Sequence, residues 1–127
     1  MNIIPQKKSI HVDKPDGTSV NYYLFPEYEV HYNVVAPQTT QQWHHHLKIT
    51  ESILILDGQI EVHWVDVHQQ KQHQLVKAGD LVEVGNTPHT FVNSSNSPVK
   101  FVVFRFVPSG YNQQEVIKND KFLDNID

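Results

Sequence analysis

The residues able to do chemistry crowd into Trp43-His44-His45-His46-Leu47-Lys48-Ile49-Thr50-Glu51. On a strand, successive side chains alternate between faces, so His44 and His46 share one face and His45 takes the other. Two imidazoles two residues apart on a strand can chelate one metal ion, as spacing four does on a helix. Glu51 follows after a short turn and is expected to open the next strand, antiparallel to the first, in a hairpin that brings its carboxylate beside both rings. His89 opens another β-rich run, Pro88–Asn93, after the turn and strand of Gly79–Val84. Histidine is the commonest metal ligand and the usual acid–base group near neutral pH, and nine of them in 127 residues is heavy use.

The elements that must position these side chains read as β from end to end. Ser9–Asp13 and Thr18–Phe25 flank the turn Lys14-Pro15-Asp16-Gly17. Between Glu27 and Val35 the residues alternate, with Tyr28, Val30, Tyr32 and Val34 on one face and Glu29, His31 and Asn33 on the other. Ile53–Leu56 and Gln59–Val67 flank Asp57-Gly58, a strong hairpin signal. Gln69–His73 reads as a loop, Ala78-Gly79-Asp80 and Ser94–Pro98 as turns, and Lys100–Val107 as a last apolar strand interrupted by Arg105. Only Gln113–Leu123 carries a trace of helical periodicity, and its polarity also suits a tail. Many short, closely spaced strands predict a sandwich or barrel.

Composition narrows the partners. The length fits one domain with a core that needs no staples, and the absence of cysteine excludes disulfides, thiolate metal sites and cysteine nucleophiles. A net charge of -4 with no basic run argues against nucleic acid and anionic membranes. The longest aliphatic run, Ile53–Leu56, cannot span a bilayer. Pro5, Lys7 and Lys8 stand where a signal peptide needs an apolar stretch, so a cytoplasmic location is expected.

In this order the motifs resemble the cupin superfamily. Its first motif, His-x-His, a short spacer, Glu, six residues and Gly, is matched by His44, His46, Glu51 and Gly58. Its second, Gly-Asp, a strand, a turn, His, three residues and Asn, is matched by Gly79, Asp80, His89 and Asn93. Gln38 stands where the family carries a glycine, and the turn Gly85-Asn86-Thr87 is one residue shorter than usual. The resemblance covers residues 34–107. It implies an all-β, antiparallel jelly-roll barrel (a double-stranded β-helix), with strands from residues 8–33 before the motif-bearing core and a tail from 109 to 127. It also implies a homodimer and a metal held by His44, His46, Glu51 and His89. Three neutral imidazoles and one carboxylate leave a divalent ion with a charge of about +1. Nitrogen and oxygen donors suit Fe, Mn, Co, Ni, Cu or Zn without choosing among them.

Three readings of function stand open. The first is an enzyme acting on a small oxygen-bearing metabolite as a dioxygenase, isomerase or lyase, with Glu51 as the available proton carrier. The second is a module that binds or senses such a ligand without reaction, and the third a scaffold with an empty site. Tyr32 and Phe91 are candidate pocket walls. Arg105 would clamp a substrate carboxylate if it pointed inward, but it is expected to point outward as an ion-pair partner. Asn93 is expected to tie a strand end to a loop. His31 and His63 are expected at the surface, and His11, His68 and His73 at strand ends or in loops.

Overall fold

The alternating runs form two antiparallel six-stranded sheets in the computed structural model, which describes residues 1–127. The first sheet runs β1 (Ile10–Asp13), β2 (Thr18–Leu24), β3 (Tyr28–Val35), β11 (Val99–Phe106), β6 (Thr50–Asp57) and β9 (Leu81–Val84). The second runs β12 (Phe122–Leu123), β5 (His44–His45), β10 (His89–Asn93), β7 (Gln59–Val65) and β8 (Lys71–Lys77), with β4 (Thr39–Thr40) also paired to β10. A short helix, α1 (Gln114–Asn119), precedes β12. No helix is long and apolar enough to cross a membrane.

Two expected hairpins turn out to be crossings between sheets. Asp57-Gly58 joins β6 of the first sheet to β7 of the second, and the residues after His45 carry the chain from β5 of the second to β6 of the first. Gly58 takes the corner at φ +84, and a Cβ there would meet the Pro98 carbonyl at 3.1 Å. The Asp-Gly pair supplies the positive φ that either a hairpin or a corner needs, so local sequence does not distinguish them. Lys71–His73, expected in a loop, belong to β8. Gln38 adopts φ +57, which accounts for a glycine at the equivalent place in the family pattern. Its side chain offsets the strain by donating to the carbonyls of Ser94 and Ser95, both at 3.0 Å.

The sheets enclose an apolar core of Val35, Ile53, Ile55, Ile60, Val62, Val76, Phe91, Val99, Phe101 and Val103. Burying each such side chain contributes about 1.5–3 kcal/mol, so the barrel has a source of stability that involves no metal. Inward positions change character along the strands. On β11 they run Val99, Phe101, Val103 and then Arg105; on β6, Ile55, Ile53 and then Glu51. On β10, Phe91 gives way to His89, and on β3, Val35 gives way to Asn33, His31 and Glu29. One end of the interior is apolar and the other is a polar cavity.

That gradient overturns the expected orientation of β3. Glu29, His31, Asn33 and Val35 are buried, whereas Tyr28, Val30, Tyr32 and Val34 are half-buried on the outer face. An apolar outer face and a polar inner one invert the usual alternation, so hydropathy pointed the wrong way.

Candidate metal centre

His44 lies on β5, His46 follows it at the crossing, and His89 opens β10 directly opposite His44 in the ladder. Their ligating nitrogens lie within 4.8 Å of one another, and all three side chains are buried. Each ring is held by its other nitrogen. His44 Nδ1 donates to the Gln42 carbonyl at 2.8 Å, His46 Nδ1 to the Asp120 carbonyl at 2.5 Å, and His89 Nδ1 to the Thr87 carbonyl at 2.9 Å. A ring whose Nδ1 carries the proton presents a lone pair at Nε2, which is how metal-ligating histidines are oriented. The Nε2 atoms of His46 and His89 are buried without a hydrogen-bond partner, and so is Glu51 Oε2.

Glu51 reaches this cluster from the facing sheet. Its Oε2 lies 2.7 Å from His46 Nε2, in poor alignment for a hydrogen bond. With the only His46 proton on Nδ1, two lone pairs face each other at that distance, an arrangement that a metal cation between or beside them relieves. The donor set therefore fits a metal ion. Burial, reinforced by the neighbouring His89, pushes the His44 imidazole down to about 3, and burial lowers His89 as well. Burial alone would raise the Glu51 carboxyl, but Arg105 and His46 overcome it and hold the group well below the usual carboxylate range. Neutral imidazoles beside an ionised carboxylate are the protonation states that bind metal.

The segment after residue 109 is not a free tail. Ile117 of α1 is fully buried, and β12 pairs with β5. Asp120, 4% exposed, accepts hydrogen bonds from the backbone N–H groups of Leu47, Lys48 and Ile49 at 3.0, 2.6 and 2.8 Å. These bonds, opposing the effect of its burial, hold its carboxyl below the ordinary value. One residue thus fixes both the His46 ring and the bend that carries the chain to Glu51. Asn86 adds a tie, donating to the Leu47 carbonyl at 2.9 Å. No spacing rule relates residue 120 to residues 46–49, so sequence gave no signal of it.

Arg105 points inward, contrary to expectation. It pairs in register with Glu51 on one side and Glu29 on the other, and its Nε lies 3.8 Å from Glu51 Oε1. Its parity with Phe101 and Val103 was the available signal. His31, expected at the surface, is 4% exposed and touches Glu29 at 2.7 Å inside the same cavity. Phe91 lines that cavity, of about 750 Å³, together with His44, Glu51, Arg105 and His31, whereas Tyr32 sits on the other face of β3. His45 turns away to pair with Asp124 at 2.8 Å and stack on Phe122. His63 stays half-exposed beside Glu61, and His73 lies across the ladder from it. Asn93 donates to the carbonyls of Val35, Ala36 and Ser97, tying its strand end to two loops.

Known proteins place this architecture. Peruvianin-I, described as a cysteine peptidase from Thevetia peruviana latex, superposes with a TM-score of 0.69 at 16% identity over 83% of this chain and 71% of its own. The oxalate decarboxylase of Lactobacillus farciminis, as its formate complex, gives 0.74 at 16% identity over 94% of this chain and 35% of its own. A recombinant oxalate oxidase with glycolate gives 0.67 at 16% identity over 83% and 59%. The chain thus spans about a third of the decarboxylase and under two thirds of the oxidase, and at such identities the likeness is one of fold. No curated protein sequence matches it. The profile of the family described as cupin domain matches residues 31–105, more than half of the chain and the stretch that holds every residue of the histidine cluster. The chain belongs to the cupin domain family.

Proposed function

We propose that the protein is a metal-dependent enzyme acting on a small, oxygen-bearing carboxylate. One divalent transition ion would be held by His44, His46, His89 and Glu51. The observation that carries this reading is the set of three rings whose Nδ1 protons are all committed to backbone carbonyls, leaving Nε2 lone pairs converging on one point. A structural barrel has no use for them, because buried nitrogens without partners destabilise it. An ion there supplies Lewis acidity and open coordination positions for a substrate oxygen.

The chain's own residues select the rest of the ligand. Arg105 lines the same cavity as His44 and Glu51, and no hydrogen bond within the protein engages its terminal nitrogens, which are not among the sealed atoms, so they are free to take a carboxylate. Formate and glycolate, bound in two of the structural neighbours, are small carboxylates and support that choice. The outer face of the first sheet exposes Leu54, Leu56 and Phe104 and carries the half-buried Tyr28 and Tyr32, which supports it as the face through which two copies would pair.

Elemental analysis of untagged protein purified without chelator tests the centre. About one equivalent of a transition metal is expected, and a protein that stays metal-free even after reconstitution with iron, manganese and zinc has no such centre.

A further inference from the structure

The cavity contains a second ionisable pair that the metal cluster does not use. Glu29 and His31 lie two residues apart on the inner face of β3, with His31 Nε2 2.7 Å from Glu29 Oε1 and both side chains under a tenth exposed. A buried ion-pair-like contact is weak evidence for stability, since an apolar pair of similar volume does as well or better. The geometry has a chemical meaning instead. The carboxylate accepts the Nε2 proton and so fixes the tautomer, leaving the lone pair on Nδ1. That nitrogen has no hydrogen-bond partner in the protein and is not among the sealed, unpartnered atoms, so it opens on the cavity. Tyr22 packs edge-on against the ring at 4.5 Å and limits its rotation.

The pair has a fixed relation to the metal cluster. Glu29, Arg105 and Glu51 form one row across β3, β11 and β6, and His31 lies one inward position further along β3. Two strand spacings separate β3 from β6, about 10 Å at the backbone. With side chains reaching inward from both, a molecule of a few carbon atoms spans the gap above Arg105. Burial keeps the imidazole below its ordinary value despite Glu29, so it is neutral and able to accept a proton.

We infer that His31 is the general base of this site, positioned by Glu29, and that the substrate is an enolisable 2-oxo carboxylate whose carboxylate rests on Arg105. This assignment rests on the reading of the cavity as a catalytic centre. His31 Nδ1 takes a proton from the carbon beside the carbonyl. The C–H electron pair becomes the C=C bond of an enolate, the carbonyl π pair moves onto oxygen, and Glu29 stabilises the imidazolium formed. Returning the proton to the same carbon re-forms the carbonyl and restores neutral His31, with no oxidant or reductant involved. A group of this kind contributes about 10²–10⁴ in rate.

The test is deuterium exchange into pyruvate, 2-oxobutanoate and hydroxypyruvate in D2O, followed by proton NMR with metal-reconstituted protein and with the free ion as control. At least one probe is expected to exchange faster with the protein than with the free ion alone. His31→Gln is expected to slow exchange about a hundredfold or more while binding of oxalate, which has no C–H, is unchanged by calorimetry. Glu29→Gln should slow it about tenfold or more. Imidazole 15N NMR of the metal-free protein supplies a readout independent of turnover: His31 should be the Nε2–H tautomer, and Glu29→Gln should abolish that preference. Loaded protein inert toward all three probes, undiminished exchange in His31→Gln, or an Nδ1–H tautomer in the native protein each overturns the assignment. Metal content of the same samples separates failure of the metal centre from failure of the base.

Discussion

Asp120→Ala is the most informative single perturbation, because the residue is far in sequence from the ligands and makes no contribution through chelation. Its carboxylate accepts the N–H groups of Leu47, Lys48 and Ile49. Hydrogen bonds to a charged group contribute about 1.5–3 kcal/mol each when buried, but the three are not equal here. Leu47 and Lys48 are exposed, so water can replace the carboxylate at their N–H groups, whereas Ile49 is buried and its N–H would stay dry. Taking the full value for Ile49 and about 0.5–1 kcal/mol for each of the others gives a loss of about 2.5–5 kcal/mol. Asp120→Asn keeps an acceptor at the position of Oδ2, which serves all three donors, and should cost about half as much. Loosening the bend also frees the His46 ring, so metal affinity should fall about 10–100-fold, as for other partners of ligating histidines. Urea unfolding of chelated protein gives the first quantity and chelator competition the second. A variant within about 1 kcal/mol of native stability, with unchanged affinity, would show that the C-terminal segment merely covers the site.

Further outcomes follow from the same geometry. His46→Ala should remove most of the metal while leaving the fold intact by circular dichroism, since the core lies at the other end of the barrel; an unfolded variant would make the site structural. His45→Ala should keep full metal content and lose at most about 1 kcal/mol with its Asp124 pair, so loss of the ion would mean that its ring faces the site after all. Stability of metal-free protein should fall between pH 7 and pH 5. A histidine lowered on folding takes up its proton first in the unfolded chain, so its contribution is complete above about 6.5 and is lost as pH drops toward the folded value. His44, pushed down to about 3, accounts for about 2 kcal/mol over that interval, with His89 and His31 adding in the same direction. A flat urea midpoint between those two pH values contradicts burial of neutral imidazoles.

Much of the site was legible because strand geometry is short-ranged. Alternation alone separated His45 from His44 and His46, and turn chemistry located Gly17, Gly58 and Gly79, all at positive φ. What alternation cannot show is which face is inside. On β3 the aromatic and aliphatic residues line the outer surface, so the polar residues of the interior were taken for a solvated face. Nor does a turn signal reveal the sheet to which the next strand belongs: the chain after His45 and the one after Asp57 each change sheets. That change strengthens the site, since Glu51 approaches the imidazoles from across the interior instead of from a neighbouring strand. Asp120 was invisible for a different reason, its contacts spanning more than seventy residues.

The row Glu29–Arg105–Glu51 is what most separates a working site from a closed barrel. Ile53 and Val103 show that β6 and β11 pack apolar residues one inward position away. Continuing that packing would fill the cavity and avoid the several kcal/mol that desolvating each charge costs. Instead Arg105 stands between two carboxylates, Glu51 facing the His46 ring and Glu29 hydrogen-bonded to His31. An arginine so placed is not saturated, since no hydrogen bond within the protein engages its terminal nitrogens. On the proposed function, a carboxylate ligand would complete the arrangement by accepting what neither glutamate takes. Arg105→Met tests this balance directly. Removing the cation leaves Glu29 and Glu51 without their shared counter-charge, so if the row serves folding alone the variant should lose about 3–5 kcal/mol. If the row serves the ligand, oxalate affinity of metal-loaded protein should drop at least about tenfold, about 1.4 kcal/mol, whatever happens to stability. Unchanged oxalate binding in Arg105→Met would remove the clamp and leave the row as structure only.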